Sequence, residues 1–229
     1  MNATAIVWIV VAVLGAVLLF FLGWRWASRV WSLPCPTLLA WALDSRLYER
    51  ITGTEVTLRR MGLRPGQRVL EVGPGTGRLL IPAAQRVLPG GEAVGIDIQP
   101  GMVERLRERA RRAQVSNLTA ILGDATHPIV SEESFDLAFL ATTLGEIPDR
   151  AAVLAQCFRA LKPGGVLSIT EMFPDPHYQP RPTVKRLAEQ AGFRLQSLQG
   201  GWWLLTANFV KPGDAPPETI ADAVPPRSS

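Results

Sequence analysis

Few residues in this chain are suited to holding a metal or closing a disulfide. Among 229 residues there are only two cysteines and two histidines. Cys35, Cys157, His127 and His177 are scattered along the chain, with no metal-ligand spacing and no disulfide framework. Internal repeats are absent as well, so the length reads as one sizeable domain plus an appendage. Charge is missing altogether from the first 24 residues. Residues 6–24 are almost wholly apolar, and as a helix they cover about 28 Å, near the ~30 Å hydrocarbon thickness of a bilayer.

A cleaved signal peptide fits that run poorly, because no basic segment precedes it and no Ala-x-Ala-like site precedes Arg25. The expectation is one retained transmembrane helix. Arg25 and Arg29 follow it, which by the positive-inside rule makes this a single-pass membrane protein with its main domain in the cytoplasm. Trp24, Trp26, Trp31 and Trp41 cluster after the run, as an aromatic belt at headgroup level does. Pro34 and Pro36 should break the helix. Leu39, Leu43, Leu47 and Ile51 then recur at four-residue steps. That segment is compatible with a lid, with a helix resting on the bilayer, or with one packed on the core.

The organising stretch comes next: Arg68-Val69-Leu70-Glu71-Val72-Gly73-Pro74-Gly75-Thr76-Gly77-Arg78. Val69, Leu70 and Val72 make a short apolar run of the kind a buried parallel strand shows. Glycines at alternate positions let the backbone turn tightly and approach a ligand. A helix is expected over residues 76–88, with its first amides facing that ligand. Residues 93–97 read as a second strand ending in Asp97, about twenty residues past the glycines, where a βαβ nucleotide site keeps its ribose-binding acid. A third strand, 118–122, ends in Gly123-Asp124-Ala125. Three strands thus deliver glycine or polar residues at their carboxyl ends, where open α/β sheets bind ligands.

A dinucleotide fingerprint requires a third glycine where this chain has Arg78. The spacing Glu71-x-Gly73-x-Gly75-x-Gly77 instead resembles motif I of the class I S-adenosylmethionine (SAM)-dependent methyltransferases. The resemblance runs over residues 64–211. It takes in Asp97, the Gly123-Asp124-Ala125 corner, Phe135-Asp136-Leu137-Ala138-Phe139 as strand four, and Leu161-Lys162-Pro163-Gly164-Gly165-Val166-Leu167 leading into strand five. Residues 171–178 resemble the matching part of the methyltransferases of ubiquinone and menaquinone biosynthesis. Many of those carry a histidine pair where this chain has Gly145-Glu146.

The resemblance implies an α/β fold: a Rossmann-like, mostly parallel seven-stranded sheet with helices on both faces, here preceded by one transmembrane helix. It implies SAM as cofactor, with Gly73, Gly75 and Gly77 around the amino-acid end and Glu71 orienting the ammonium. Asp97 takes the ribose hydroxyls, Ile98 packs on adenine, and Asp124 with Ala125 forms the adenine corner. The expected division is an anchor and belt over 1–31, a lid or linker over 32–63, the SAM-dependent domain over 64–211, and a proline-rich disordered tail over 212–229.

Methyl transfer from a sulfonium requires alignment and exclusion of water, and a base only when the nucleophile is protonated. Candidates at the ends of strands four and five are Glu146, Glu171, Asp175, His177 and Tyr178, with Tyr48 from the lid. Glu146, Glu171 and His177 are the catalytic choices, His177 foremost because its reference pKa is near neutrality. His127 reads as a loop residue and Cys157 as core. The arginines of residues 100–113 form a basic stripe, but no aromatics interleave it, so nucleic acid is not an expected partner. The expected function is a membrane-anchored methyltransferase acting on a small lipophilic acceptor. A non-catalytic SAM-binding membrane protein and a nicotinamide-dependent oxidoreductase remain the alternatives.

Overall fold

The protein is described here by a computed structural model covering residues 2–31, 53–173 and 175–213, without the side chains of 3, 21, 24, 25 and 28–31. The lid expected over residues 37–51, with Tyr48, and the tail from 214 onward lie outside the described residues.

After helix α1 (Ala3–Trp31) and helix α2 (Thr54–Met61), the chain alternates strand and helix: β1 (Arg68–Val72), α3 (Leu80–Arg86), β2 (Glu92–Asp97), α4 (Pro100–Arg112) and β3 (Leu118–Leu122). It continues as β4 (Phe135–Ala141), α5 (Arg150–Ala160), β5 (Leu161–Met172), α6 (Arg181–Gln190), β6 (Arg194–Gly200) and β7 (Leu204–Val210). The sheet order is β3-β2-β1-β4-β5-β7-β6. β1 to β5 run parallel, and β7 is antiparallel to both β5 and β6. This is the Rossmann-like seven-stranded sheet that the sequence predicts, including the antiparallel pair at one edge.

Alternation along each strand sends successive side chains to opposite faces. Leu70 and Val72 of β1 join Ala138 and Leu140 of β4 in one core, closed by Val153, Leu154 and Cys157 of α5 and Val184 and Ala188 of α6. Val69, Leu137 and Phe139 face the other way, onto Leu58 of α2, Leu80 and Ala84 of α3, and Val103, Leu106 and Ala110 of α4. Fully burying a side chain of this size contributes roughly 1.5–3 kcal/mol. In the basic stripe, Arg107 donates to Ala120 O at 2.7 Å, and Arg112 pairs with Glu108. That face braces β3 and, through Arg109, the glycine loop, while Arg105 and Arg111 are exposed.

One expectation is corrected. The helix after the glycine loop begins at Leu80 and not at Thr76. Gly73, Gly75 and Gly77 have φ of 69°, 54° and 88°, and left-handed residues cannot continue a right-handed helix. An α-helix, α1, does form over the apolar amino-terminal run. Among the described residues, however, no helix is long and apolar enough to cross a membrane.

Candidate active site

The loops leaving β1, β2, β3 and β4 enclose a cavity of about 530 Å³, a size usual for cofactor and small-molecule sites. It lies at the carboxyl edge around β1, where the strand order reverses, the crevice that an open α/β sheet offers to ligands.

One end is built from the first three strands. Glu71 alternates away from Leu70 and Val72 and is only 3% exposed. Burial pushes its carboxyl well above the usual range, and neither Arg78 nor the Leu80 N–H that it accepts offsets this. Its Oε2 has no hydrogen-bond partner among the described residues. The Leu80 amide is therefore taken by the protein itself. At Gly73 a Cβ would lie 2.4 Å from Thr143 Cγ2. Glycine alone lets the loop after β1 touch the loop after β4.

Gly75 also lines the cavity, but Gly77 does not. A Cβ on Gly77 would lie 2.4 Å from Leu106 Cδ1, so this glycine serves the packing of α4. Arg109 on α4 fixes the same loop, donating to Thr76 Oγ1 at 2.8 Å and Thr76 O at 3.2 Å. Arg78, where a dinucleotide site has glycine, lines the cavity and donates to Thr54 Oγ1 at 3.0 Å.

Asp97 ends β2 with both oxygens engaged. Oδ2 accepts the Gly75 N–H at 3.1 Å and Oδ1 the Gln99 N–H at 2.9 Å. Burial nonetheless raises its pKa, outweighing both hydrogen bonds. Ile98 beside it is 61% exposed in the cavity wall. Asp124, after β3, accepts from Thr126 N and Oγ1 at 2.9 and 2.8 Å, which holds its carboxyl below the usual range. Ala125 completes that wall, and His127 is an exposed loop residue 3.5 Å from Asp124.

The other end comes from loops far apart in sequence. Glu146 lines the cavity, as does Asp175. Glu171 and His177 do not; both are buried and tied into the 175–179 turn. Glu171 accepts the Gln179 N–H at 3.0 Å, while Oε1 has no partner among the described residues. Burial drives its carboxyl well up, opposed by Gln179 and Arg150 and assisted by Asp175 and Glu146. The His177 N–H donates to Asp175 Oδ1 at 2.6 Å. Gly145 fits directly beneath: a Cβ there would stand 1.9 Å from His177 O. Arg150 braces this loop by donating to Leu144 O and Gly145 O at 3.1 and 3.0 Å.

Sequence reasoning passed over Thr142, Thr143, Gln99, Met102, Thr126 and Asp149, all of which line the cavity. Thr142 has φ of 58°, unusual for a β-branched residue and worth roughly 1–3 kcal/mol of strain. No sequence signal marks it. Asp149 was legible as a helix cap, since its carboxylate accepts the Ala152 N–H at 2.9 Å.

A family model described as a methyltransferase domain matches residues 63–195. Nocamycin O-methyltransferase of Saccharothrix syringae is 39% identical over 113 residues, covering 49% of this chain and 40% of that protein. Demethylmenaquinone methyltransferase of Geobacillus sp. (strain WCH70) is 32% identical over 111 residues, covering 48% and 47%. The chain thus spans half or less of the length of these curated relatives. A SAM-dependent methyltransferase from Aquifex aeolicus superposes with a TM-score of 0.72 at 21% identity, over 78% of this chain and 100% of that one. At that identity the likeness shows the fold alone.

Proposed function

The chain belongs to the methyltransferase-domain family, whose members and fold imply S-adenosylmethionine as cofactor, and from that premise we propose that it methylates a small lipophilic acceptor at a membrane. The observation that carries the reading is one continuous cavity with an acid-lined cofactor end, Glu71, Asp97 and Asp124, and a separate end carrying Glu146 and Asp175.

The residues present fit the cofactor. Glu71 Oε2, buried and unpartnered among the described residues, suits an ammonium group. Asp97 at the end of β2 suits ribose hydroxyls, and exposed Ile98 offers an apolar surface for a flat ring. When bound, SAM supplies an electrophilic methyl group on a sulfonium. The chain's residues hold the nucleophile in line and exclude water, effects worth several kcal/mol. Glu146 and Asp175 are the carboxylates placed to accept a proton from an amine or hydroxyl nucleophile. Glu171 and His177 support that wall from within the fold and act through Asp175.

The relatives act on unlike acceptors by their names, and α1 is what singles out a lipophilic one. Ile6, Trp8, Leu14, Leu18, Leu19 and Phe20 are each about half to three-quarters exposed. A continuous apolar surface of that kind is unfavourable in water and favourable in a bilayer. Held there by α1, with Arg25 and Arg29 near its carboxyl-terminal end, the domain lies on the cytoplasmic side. Membrane lipid extract incubated with the protein and isotopically labelled SAM tests the reading. Labelled product should partition into the lipid phase. Label confined to water-soluble products would refute the lipophilic acceptor, and NAD binding in place of SAM would refute methyl transfer.

A further inference from the structure

Four aromatic rings stand at the carboxyl edge of the sheet, outside the cavity and unused by its chemistry. Phe173 follows β5, Tyr178 lies in the loop beyond it, and Trp202 and Trp203 fill the turn between β6 and β7. The rings meet edge to face in a row. Centroids are 6.0 Å apart for Tyr178 and Phe173, 5.3 Å for Phe173 and Trp202, and 5.7 Å for Trp202 and Trp203. The backbone ties both segments together, since the Phe173 N–H donates to Trp203 O at 2.9 Å. Even so, Phe173, Trp202 and Trp203 keep 42%, 68% and 44% of their surface exposed. A contiguous exposed aromatic patch of this kind marks a docking surface.

The path of the chain says what covers it. Residues 32–52 connect α1 to the domain and reach it at Gly53. A Cβ on Gly53 would lie 2.9 Å from Leu204 Cδ2, the residue directly after Trp203. The connection therefore enters the domain beside the aromatic turn. Fully extended, it reaches at most on the order of 75 Å, and it joins α1 to the domain on this face. Trp and Tyr, with an apolar body and a polar tip, settle at the headgroup level of bilayers. Arg60 adds a cation at the rim, donating to Leu204 O at 3.2 Å, where anionic headgroups favour it.

We propose that Phe173, Tyr178, Trp202 and Trp203 form an interfacial surface that seats in the headgroup layer of a lipid bilayer. The inference rests on the membrane reading of α1 given above. Its consequence is geometric: Asp175 belongs to the same segment as Phe173 and Tyr178 and lines the cavity. Seating the rings brings the acceptor end of the cavity to the lipid, so a lipophilic substrate reaches it without crossing water.

The test uses the full chain with Cys35→Ser, reconstituted in vesicles of phosphatidylcholine and phosphatidylglycerol. Gly201→Cys, whose Cβ meets no atom within 4 Å, carries an environment-sensitive fluorophore, and Val11→Cys in a second preparation reports on α1. Both labels should shift to the blue and be quenched by lipids brominated near the headgroup or chain. Trp202→Ala with Trp203→Ala should reduce quenching at position 201 several-fold and leave it unchanged at position 11. SAM affinity confirms that this variant is folded. Quenching at 11 without quenching at 201 would overturn the proposal and leave the anchor standing. No quenching at either position would overturn both. An unchanged signal at 201 in the double variant would show that the rings do not seat the domain.

Discussion

Glu71 and Glu171 are alike in most of what a side chain feels. They are 3% and 1% exposed, each accepts one backbone N–H, each leaves one oxygen without a described partner, and burial pushes both well above the ordinary value of 4.5. They differ in what they face. Glu71 opens on the cavity, with Asp97 raising it further, whereas Glu171 does not line the cavity and is raised further by carboxylates of two separate loops, Asp175 and Glu146. The cofactor end is assembled by short local links from strand to loop. The acceptor end is assembled by contacts between distant loops. On the reading proposed above, the same carboxyl group receives an ammonium in one place and braces a loop in the other.

Substitutions that strike one end should leave the other intact, which separates the two most sharply. Asp97→Ala removes a carboxylate that holds Gly75 and Gln99 and is placed for the cofactor. Hydrogen bonds to charged groups are worth roughly 1.5–3 kcal/mol, so SAM affinity by calorimetry should fall about ten- to a hundredfold. Unchanged affinity would remove Asp97 from the site. Gly145→Ala strikes the other end, driving a methyl group into His177 O. Overpacking of this kind costs about 1–3 kcal/mol, read as a melting temperature lower by a few degrees or more. Turnover should fall further than SAM affinity does, and equal losses would merge the two ends.

A smaller effect is expected at the seam between them. Thr142→Gly relieves the left-handed strain and should raise stability by about 1 kcal/mol, while loosening the wall and slowing turnover. If the variant is less stable than the parent, the strain is not there.

The gentlest effect is a slope with pH. Between 4.5 and the raised values, the folded chain keeps protons on Glu71 and Glu171 that the unfolded chain has released. This contribution to stability is greatest below 4.5 and declines as pH rises towards the raised values. Glu171→Gln has no such proton, so its melting temperature should gain on the parent as pH rises above 4.5 towards the raised value. Saturating SAM should cancel the equivalent gain for Glu71→Gln, because an ammonium beside the parent's Glu71 favours the carboxylate, but should leave that for Glu171→Gln untouched. Identical responses to SAM would mean that the two glutamates are not distinct.

That contrast explains what was legible in the sequence. β1, the glycine loop, Asp97 and Asp124 announce themselves because each acid follows its own strand at a spacing fixed by βαβ geometry. The onset of α3 was misjudged, since apolar periodicity persists through Leu79 and Leu80 while positive φ at the glycines forbids the helix. Glu146 reached the cavity as expected from its place after β4. Glu171 and His177 were chosen for the same reason yet are turned inward, because the close fit of Gly145 under His177 is a tertiary contact with no mark in either segment. Thr142 was invisible: nothing in a threonine announces a left-handed backbone.

Cys157, fully packed on α5 against the sheet, has its thiol pushed up to about 12 by burial. At pH 8 roughly one such thiol in ten thousand is ionised, and alkylating reagents attack the thiolate. Modification therefore waits for the helix to lift away from the strands, an opening whose rarity reflects local stability. The chain carries its own clock for that event. The rate at which iodoacetamide marks Cys157, with and without SAM, times how often this face of the molecule comes apart and how firmly a ligand at the distant edge keeps it shut.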